Sequence, residues 1–527
     1  MKLLSYIDYC GLPRYKQFFY KIYEFFYKVV LGLWHFIKGF GIGVKNFVFK
    51  VGRSFKRMYQ SFRYGDVFTK LSFGLLGLSH VRRGQYVKGV LMMILEALFI
   101  VFMVVFGGSA LVSLVTLGDY RSGYVCNNVI YDTREEAVAA GKCPAPVKVV
   151  PDNSPRLLLY GILTVAIIVI FIIFYVTTVN RSYEIQTNKE EGKHIKTFKE
   201  EMSDFLNSKF HITLLALPIC GVVIFSILPL IDMICMAFTN YDYTTDYPKG
   251  VFDWVGMKNF GEIFNFGGSG FGYTFVEILK WTLVWAVLAT FLNFILGILV
   301  ATIINKKGIR FKKFWRTCLV LSVAVPQFVS LLAISQFLGE YGPLTALLER
   351  WTGVKYTFLA TPYSTISIFG WKVAVDFPRI LIVVINIWIG IPYTVLSTTG
   401  ILMNVPEDLY ESARIDGASA VTIYFKITLR YIIFVMGPSL ITTFIGNFNS
   451  FGVIYLLTGG GPKTNNFYGS AGHTDLLVTW LFQLTNGNNP DYKMASVVGI
   501  FIFIISSVIS LIVYRNSSSF KGEEDFA

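Results

Sequence analysis

Glu407-Asp-Leu-Tyr-Glu411-Ser-Ala413-Arg-Ile-Asp416-Gly417, followed after nine residues by Ile427-Thr-Leu-Arg430, is the stretch that decides how the rest of this chain is read. Gly417 reads as a turn, because glycine adopts backbone conformations that other residues avoid. The spacing predicts a short helix, a glycine turn and a second helix, folded into a compact knob. Apolar runs lie on both sides, at 378–400 and 431–457, each long enough to cross a membrane as a helix. A knob held between two spans projects from the membrane surface, where a cleft in a soluble partner can receive it. An ordinary amphipathic loop is the plainer alternative.

Working outward, the same length test picks out eight apolar runs, at 87–114, 157–179, 212–238, 278–304, 314–337, 378–400, 431–457 and 493–514. Strands of a membrane β-barrel would be about half as long and would alternate. Composition agrees, with 54% hydrophobic and 15% charged residues, against about 25% charged in soluble domains. The expectation is an all-α membrane protein of eight transmembrane helices. Pro218, Pro229, Pro326, Pro392 and Pro438 fall inside the spans and predict kinks, which membrane bundles tolerate where neighbours or a polar passage satisfy the freed backbone.

Basic residues set the orientation, because short loops rich in Lys and Arg stay cytoplasmic. Up to Arg57 the segment before the first span carries Lys2, Arg14, Lys16, Lys21 and many more against only Asp8 and Glu24, and the turn 305–313 is purely basic. An even number of crossings separates them, so both termini are expected on the cytoplasmic side of the membrane. The net charge of +14 is explained by lipid and topology rather than nucleic acid. Within the first 60 residues Arg14, Gln17, Lys21, Glu24 and Lys28 form a narrow polar stripe on an otherwise aromatic and aliphatic helix, which predicts an interfacial segment, not a span or a secretory signal. A regulatory or partner-docking arm is the alternative. The loop 115–156 falls outside, where Cys126 and Cys143 can pair or remain thiols.

A search for reaction chemistry finds little. The histidines His35, His80, His194, His211 and His473 show no metal-ligand spacing, and no cofactor is expected on this chain. Gly459-Gly-Gly-Pro-Lys-Thr has Pro462 where a phosphate loop needs glycine, and reads as a turn at a helix end. Glu96 and Asp232 lie near span ends, where an interfacial position is plainer than a functional one.

With its neighbours in place, the opening stretch resembles the EAA loop of ABC importer permeases: Glu-Ala-Ala, three residues, Gly, nine residues, then Ile-x-Leu-Pro. Ser412 replaces the second residue and Arg430 the final proline, which leaves the start of the next helix less constrained. From about 212 onward the order of spans, Asn447-Phe-Asn-Ser-Phe, the Gly-Gly-Gly-Pro turn and Ala471-Gly-His-Thr-Asp-Leu-Leu are similar to the larger permease subunits of maltose and maltodextrin importers. That resemblance implies the type I ABC importer permease fold and no enzymatic activity in this chain. It implies a partner ATPase dimer that holds ATP and Mg and is coupled through Glu411, Ala413, Asp416 and Gly417. A second homologous permease and an extracytoplasmic sugar-binding protein complete the implied machine. The large insert known after the third span of that family is short here, at 239–277.

Helical spacing adds a candidate passage. Asn386, Gly390 and Tyr393 fall at i, i+4 and i+7 of the sixth span, and Thr443, Asn447 and Ser450 repeat the pattern on the seventh. Uncharged amides, hydroxyls and one aromatic ring suit a neutral polyol; interhelical hydrogen bonding is the other reading of the same groups. The resemblance implies the first, because matching positions in the family line a sugar site at mid-membrane. The expected organisation is a basic interfacial segment 1–86, two accessory spans at 87–211, a permease core at 212–515 containing the loop 407–430, and a cytoplasmic tail 516–527. The expected function is import of maltose or maltodextrin by alternating access. The alternatives are the same machinery for another oligosaccharide or polyol, or a membrane-embedded enzyme of the cell envelope.

Overall fold

The computed structural model describes residues 11, 13–120, 123–126, 129–131, 134–139, 147–267, 270–306, 308–353, 355, 358–368 and 371–516. The chain divides into two compact units, Trp34–Gly256 and the pair Met1–Leu33 with Met257–Ala527. Helix α1, Arg14–Tyr64, is not among the helices apolar enough to cross a membrane. In the first unit follow α2 (Tyr86–Thr116), α3 (Ser154–Glu190), the short α4 (Phe198–Leu206) and α5 (Phe210–Met236). In the second are α6 (Phe271–Asn305), α7 (Lys312–Ala324), α8 (Gln327–Leu338), α9 (Phe377–Met403), α10 (Glu407–Ile415), α11 (420–448), α12 (Phe451–Thr458), α13 (Leu477–Asn486) and α14 (Tyr492–Asn516). Seven helices are long and apolar enough to cross a membrane among the described residues, and a bent pair brings the number to eight. Small antiparallel pairings of β1 (Gly123–Cys126), β2 (Val129–Tyr131) and β3 (Val147–Val149), and of β4 (Ser364–Ile368) with β5 (Trp371–Val375), decorate the connecting segments.

Two spans differ from straight helices. The fifth bends by 87° between α7 and α8. Val325 is extended (φ −78°, ψ 123°) immediately before Pro326, the conformation forced by clash with the proline ring. The seventh is interrupted where α11 ends at Phe448 and Ser450 turns extended (φ −72°, ψ 94°) before α12. Asn449 at this break donates to Ser506 Oγ on α14 at 3.3 Å. Three spans also carry a π turn, at Met103–Gly107, Val223–Ile227 and Tyr424–Thr428.

In the first unit, Arg83 organises the approach to the membrane. Its guanidinium donates to Asp66 Oδ1 at 2.9 Å, Thr69 Oγ1 at 3.0 Å and the Ser182 carbonyl at 3.2 Å. Gln186 accepts from the Asp66 N–H and Thr69 hydroxyl, so a buried arginine and its acceptors are mutually satisfied. Glu96 accepts the Leu76 N–H at 2.7 Å, a structural duty. Phe99 of α2 stacks on Phe171 of α3 with ring centroids 3.7 Å apart. By contrast, no residue in the most apolar window of α5 is buried.

In the second unit α6 and α9 approach through reciprocal glycines. A Cβ on Gly297 of α6 would lie 2.5 Å from Thr394 Cβ of α9, and one on Gly390 of α9 would lie 2.5 Å from Asn293 Nδ2 of α6. Small residues let membrane helices pack at backbone distance. The segment 459–477 then ties the same ends of several helices together. Trp281 Nε1 donates to the Thr474 carbonyl (3.2 Å), Leu477 N to Thr282 Oγ1 (3.1 Å), and Arg379 Nη2 to the His473 carbonyl (2.8 Å). His473 Nε2 meets Asp376 Oδ2 at 2.7 Å, and Asp376 also caps α9. Gly459 (φ +60°) closes α12, as the sequence predicts for a turn. A side chain on Gly460 (φ +84°) would collide with Asp475.

Asp475 is 1% exposed and accepts from Gly472 N, Thr479 Oγ1 and Gln483 Nε2. Burial pushes its carboxyl up to about 7, against the hydrogen bonds that favour the anion. An acid with a raised folded pKa binds its proton more tightly when folded, so stability is greatest below the ordinary value near 4 and declines as pH rises to about 7. Thermal unfolding of the purified chain from pH 4.5 to 8 should show this decline, with a slope of at most about 1.4 kcal/mol per pH unit. Asp475→Asn should flatten it.

Candidate coupling and translocation sites

The knob takes the predicted form. α10 runs Glu407–Ile415, Gly417 is left-handed (φ +74°), and the Asp416 N–H donates to Ser412 O at 2.9 Å and Ala418 N–H to Ala413 O at 2.9 Å. Those bonds satisfy carbonyls that the helix end leaves open. Ser419 then caps the start of α11 by accepting from Thr422 N at 3.2 Å. Tyr410 Oη meets Thr428 Oγ1 at 3.1 Å, fixing α10 against α11. Arg430 sits exposed within continuous helix, two residues past the π turn, so its replacement of proline coincides with an unbroken α11.

α10 buries none of its residues. Glu411, Asp416 and Gly417 are exposed and Ala413 is half-buried. Around them Ile415 is 86%, Val421 66% and Phe425 58% exposed. Large apolar side chains at the tip of a polar knob mark a surface made to be covered by another protein.

The six passage candidates separate into different environments. Tyr393 is exposed and lines a cavity of about 450 Å³ between α6, α7, α8 and α9, with Trp315, Trp388, Gln327 and Ser330. Gly390 meets Asn293 of α6, and Asn386 is buried with its Nδ2 unpartnered among the described residues. Asn447 Nδ2 donates to Thr290 Oγ1 of α6 at 2.9 Å and its carbonyl accepts from Trp285 Nε1 at 3.1 Å. Thr443 is exposed, as are Ser439 and Thr442 on the same helix. Ser450 lies beyond the end of α11, so the break removes it from the helical face it was expected to share with Thr443 and Asn447.

Trp315, Trp388 and Gln327 were missed because no helical stripe connects them; the bend at Pro326 brings them together. Thr290 and Asn293, polar positions three apart in the fourth apolar run, were a legible sign of a helix facing polar partners. Asp232 Oδ1 is buried with no hydrogen-bond partner among the described residues. No group of His, Cys, Asp and Glu is placed to hold a metal among the described residues. Cys126 lies in β1, and Cys143 lies outside the described residues.

Residues 293–519 match the family model of the binding-protein-dependent transport system inner membrane component. The chain is 32% identical over 85% of its length to a maltodextrin transport system permease protein of Bacillus subtilis, covering 95% of that relative. It is 33% identical over 71% of its length to a galactooligosaccharides transport system permease protein of the same organism, covering 85% of it. A maltose/maltodextrin transport system permease protein of Escherichia coli is 31% identical over 49% of this chain and 48% of its own length.

The contact of Gly390 with Asn293 gives a direct test of the helix spacing behind Tyr393. Gly390→Ala should destabilise the chain by about 1–3 kcal/mol through overpacking, read as a lower unfolding temperature in detergent. Asn293→Ala in the same chain should recover most of the loss, because the atoms in the way begin at Asn293 Cγ. Additive losses would contradict the reciprocal packing.

Proposed function

The chain belongs to the binding-protein-dependent transport inner membrane component family, as a multi-pass, non-catalytic permease of a sugar importer without a bound cofactor, and we propose that its cargo is a maltodextrin. The observation that carries the coupling half of this reading is the knob 407–430, with Ile415, Val421 and Phe425 uncovered at its tip. A soluble ATPase subunit is the proposed occupant of that surface, and the basic turn 305–313 supports a cytoplasmic position for it and for both termini. A second permease is the proposed neighbour of α5, whose most apolar window is uncovered among the described residues. An extracytoplasmic binding protein delivers the sugar.

The passage is proposed to run along the exposed faces of α9 and α11. Tyr393 and Thr443 present open side chains there and are the proposed sugar contacts, the first stacking on a pyranose face and the second bonding a hydroxyl. Gly390 and Asn447 set the positions of the walls against α6, Asn386 is a proposed buried sugar contact, and Ser450 marks the break that lets α12 leave the passage. Opening alternates between the two sides as the ATPases close and release, with the knob carrying the displacement into α11. The relative named for galactooligosaccharides is 33% identical over 71% of this chain, against 32% over 85% for the one named for maltodextrin, and a galactoside cargo is the second reading.

Reconstitution with partner permease, ATPase and binding protein in lipid tests both halves. Hydrolysis should rise only with binding protein loaded with maltodextrin, and Gly417→Pro should abolish that stimulation while leaving the assembled complex intact. Tyr393→Ala should raise the maltodextrin concentration for half-maximal uptake about fivefold, the equivalent of about 1 kcal/mol of stacking. Stimulation by galactooligosaccharide and not by maltodextrin would move the cargo to the second reading.

A further inference from the structure

We propose that a pocket in the Trp34–Gly256 unit binds the head group of an anionic glycerol phospholipid, through a phosphate and a neighbouring hydroxyl. The cavity is about 310 Å³ and lies where three spans begin or end. Gln85 precedes α2, Arg181 and Asn188 lie in the last turns of α3, and Lys209 precedes α5. By chain order these three ends lie on one membrane face, and the apolar part of each helix begins or ends within a few residues of the cavity. That depth belongs to head groups. α4 borders the site with Glu201 and Asp204 in the lining and Met202 and Leu206 exposed, as for a helix lying in the interface.

The charges of the lining are unequally engaged. Lys88 pairs with Glu201 at 2.6 Å and Lys196 with Asp204 at 2.5 Å, which fixes the walls and leaves them neutral. Arg181 and Lys209 also line the cavity, and no carboxylate pairs with either among the described residues; Glu184 is the remaining acid of the lining. The basic field is felt nearby by His80, fully buried with both ring nitrogens unpartnered among the described residues. Burial, and then Lys88, Arg181 and Arg83, pull its pKa down to about 4. Two available cations at a membrane face suit a lipid phosphate.

Gln85 narrows the choice of head group. It is 3% exposed, its Nε2 donates to the Lys196 carbonyl at 2.6 Å, and its Oε1 has no partner among the described residues. A buried acceptor beside two cations calls for a ligand that brings both negative charge and a hydroxyl donor. Phosphatidylglycerol has both, whereas phosphatidic acid lacks the glycerol hydroxyls and phosphatidylcholine offers neither net charge nor a donor. The assignment stands apart from transport and is tested on the chain alone, so its failure leaves the importer reading untouched.

The experiment is a titration of the purified full chain in neutral detergent with short-chain phosphatidylglycerol, phosphatidic acid, phosphatidylethanolamine and phosphatidylcholine, and with soluble glycerol phosphate. Unfolding temperature and lipid retained by native mass spectrometry are the readouts. Saturable stabilisation and retention are expected with phosphatidylglycerol at the lowest concentration. Arg181→Ala with Lys209→Ala should weaken it about thirtyfold without changing the unfolding temperature in lipid-free detergent, and Arg181→Lys should largely preserve it. Gln85→Leu should erase the preference for phosphatidylglycerol over phosphatidic acid while retaining binding. Equal response to phosphatidylcholine or phosphatidylethanolamine, or no effect of the double substitution, would overturn the proposal. Equally tight binding of soluble glycerol phosphate would overturn the lipid as the source of the head group.

Discussion

The permease unit depends on the hydrogen bonds of the segment 459–477. Where a membrane helix stops, its backbone groups must find partners within the protein, because hydrocarbon offers none. Here the end of α12 and the start of α13 are joined by a glycine-rich chain whose carbonyls receive Trp281, Arg379 and Gln483, and whose Leu477 N–H reaches Thr282. α6, α9, α12 and α13 are thereby fixed at one end by bonds to a common element. Asp475 is the internal brace of that element, accepting from both sides of the turn. Glycine is required at 460 and 472 because the chain folds back on itself there: a Cβ on Gly472 would run into the Gly460 carbonyl, and one on Gly460 into Asp475.

From this anchored end the α6–α9 pair descends with its reciprocal glycines, and the cavity holding Tyr393, Trp315 and Trp388 lies on the side of α9 that also faces α7 and α8. The bend at Pro326 makes room for it. At the other end, α9 passes through Asn404 and Pro406 into α10, and α11 returns from the knob directly into the bundle. The part of the chain that meets an ATPase in the proposed assembly and the part that meets sugar are thus two ends of one rigid connection. No loop of any length separates Gly417 from the helix carrying Thr443.

Much of this was legible in the sequence because lipid imposes a length and a composition on whatever crosses it. The boundaries of α2, α5, α9 and α14 are close to the apolar runs, whereas α3 continues to Glu190, well past its run at 157–179, and α6 begins at Phe271, ahead of 278; the knob was legible through its resemblance to the EAA loop and the turn at Gly417. The interruptions were harder. Pro326 was recognised as a kink, but its 87° size depends on what packs on each side. The break at Asn449 contains no proline or glycine, and the bond from Asn449 to Ser506 that accompanies it joins residues far apart in the chain. For the same reason the spacing of Thr443, Asn447 and Ser450 promised one face and the structure gives two. Asn386 and Gly390 have the right types for a sugar site, yet periodicity gives a face without saying which neighbour it meets, and that neighbour is Asn293 for Gly390.

The paired glycines also bear on how such a sequence can drift. At each crossing of α6 and α9 one helix contributes no side chain and the other contributes Thr394 or Asn293, so the volume available is shared between two positions rather than assigned to either. A larger residue at 390 is accommodated only by a smaller one at 293, and likewise for 297 and 394. Across a lineage these sites should exchange bulk in pairs, as a lock whose key and wards are recut together. A descendant that enlarges one member alone has changed the distance between the two helices, and with it the width of the cavity beside Tyr393.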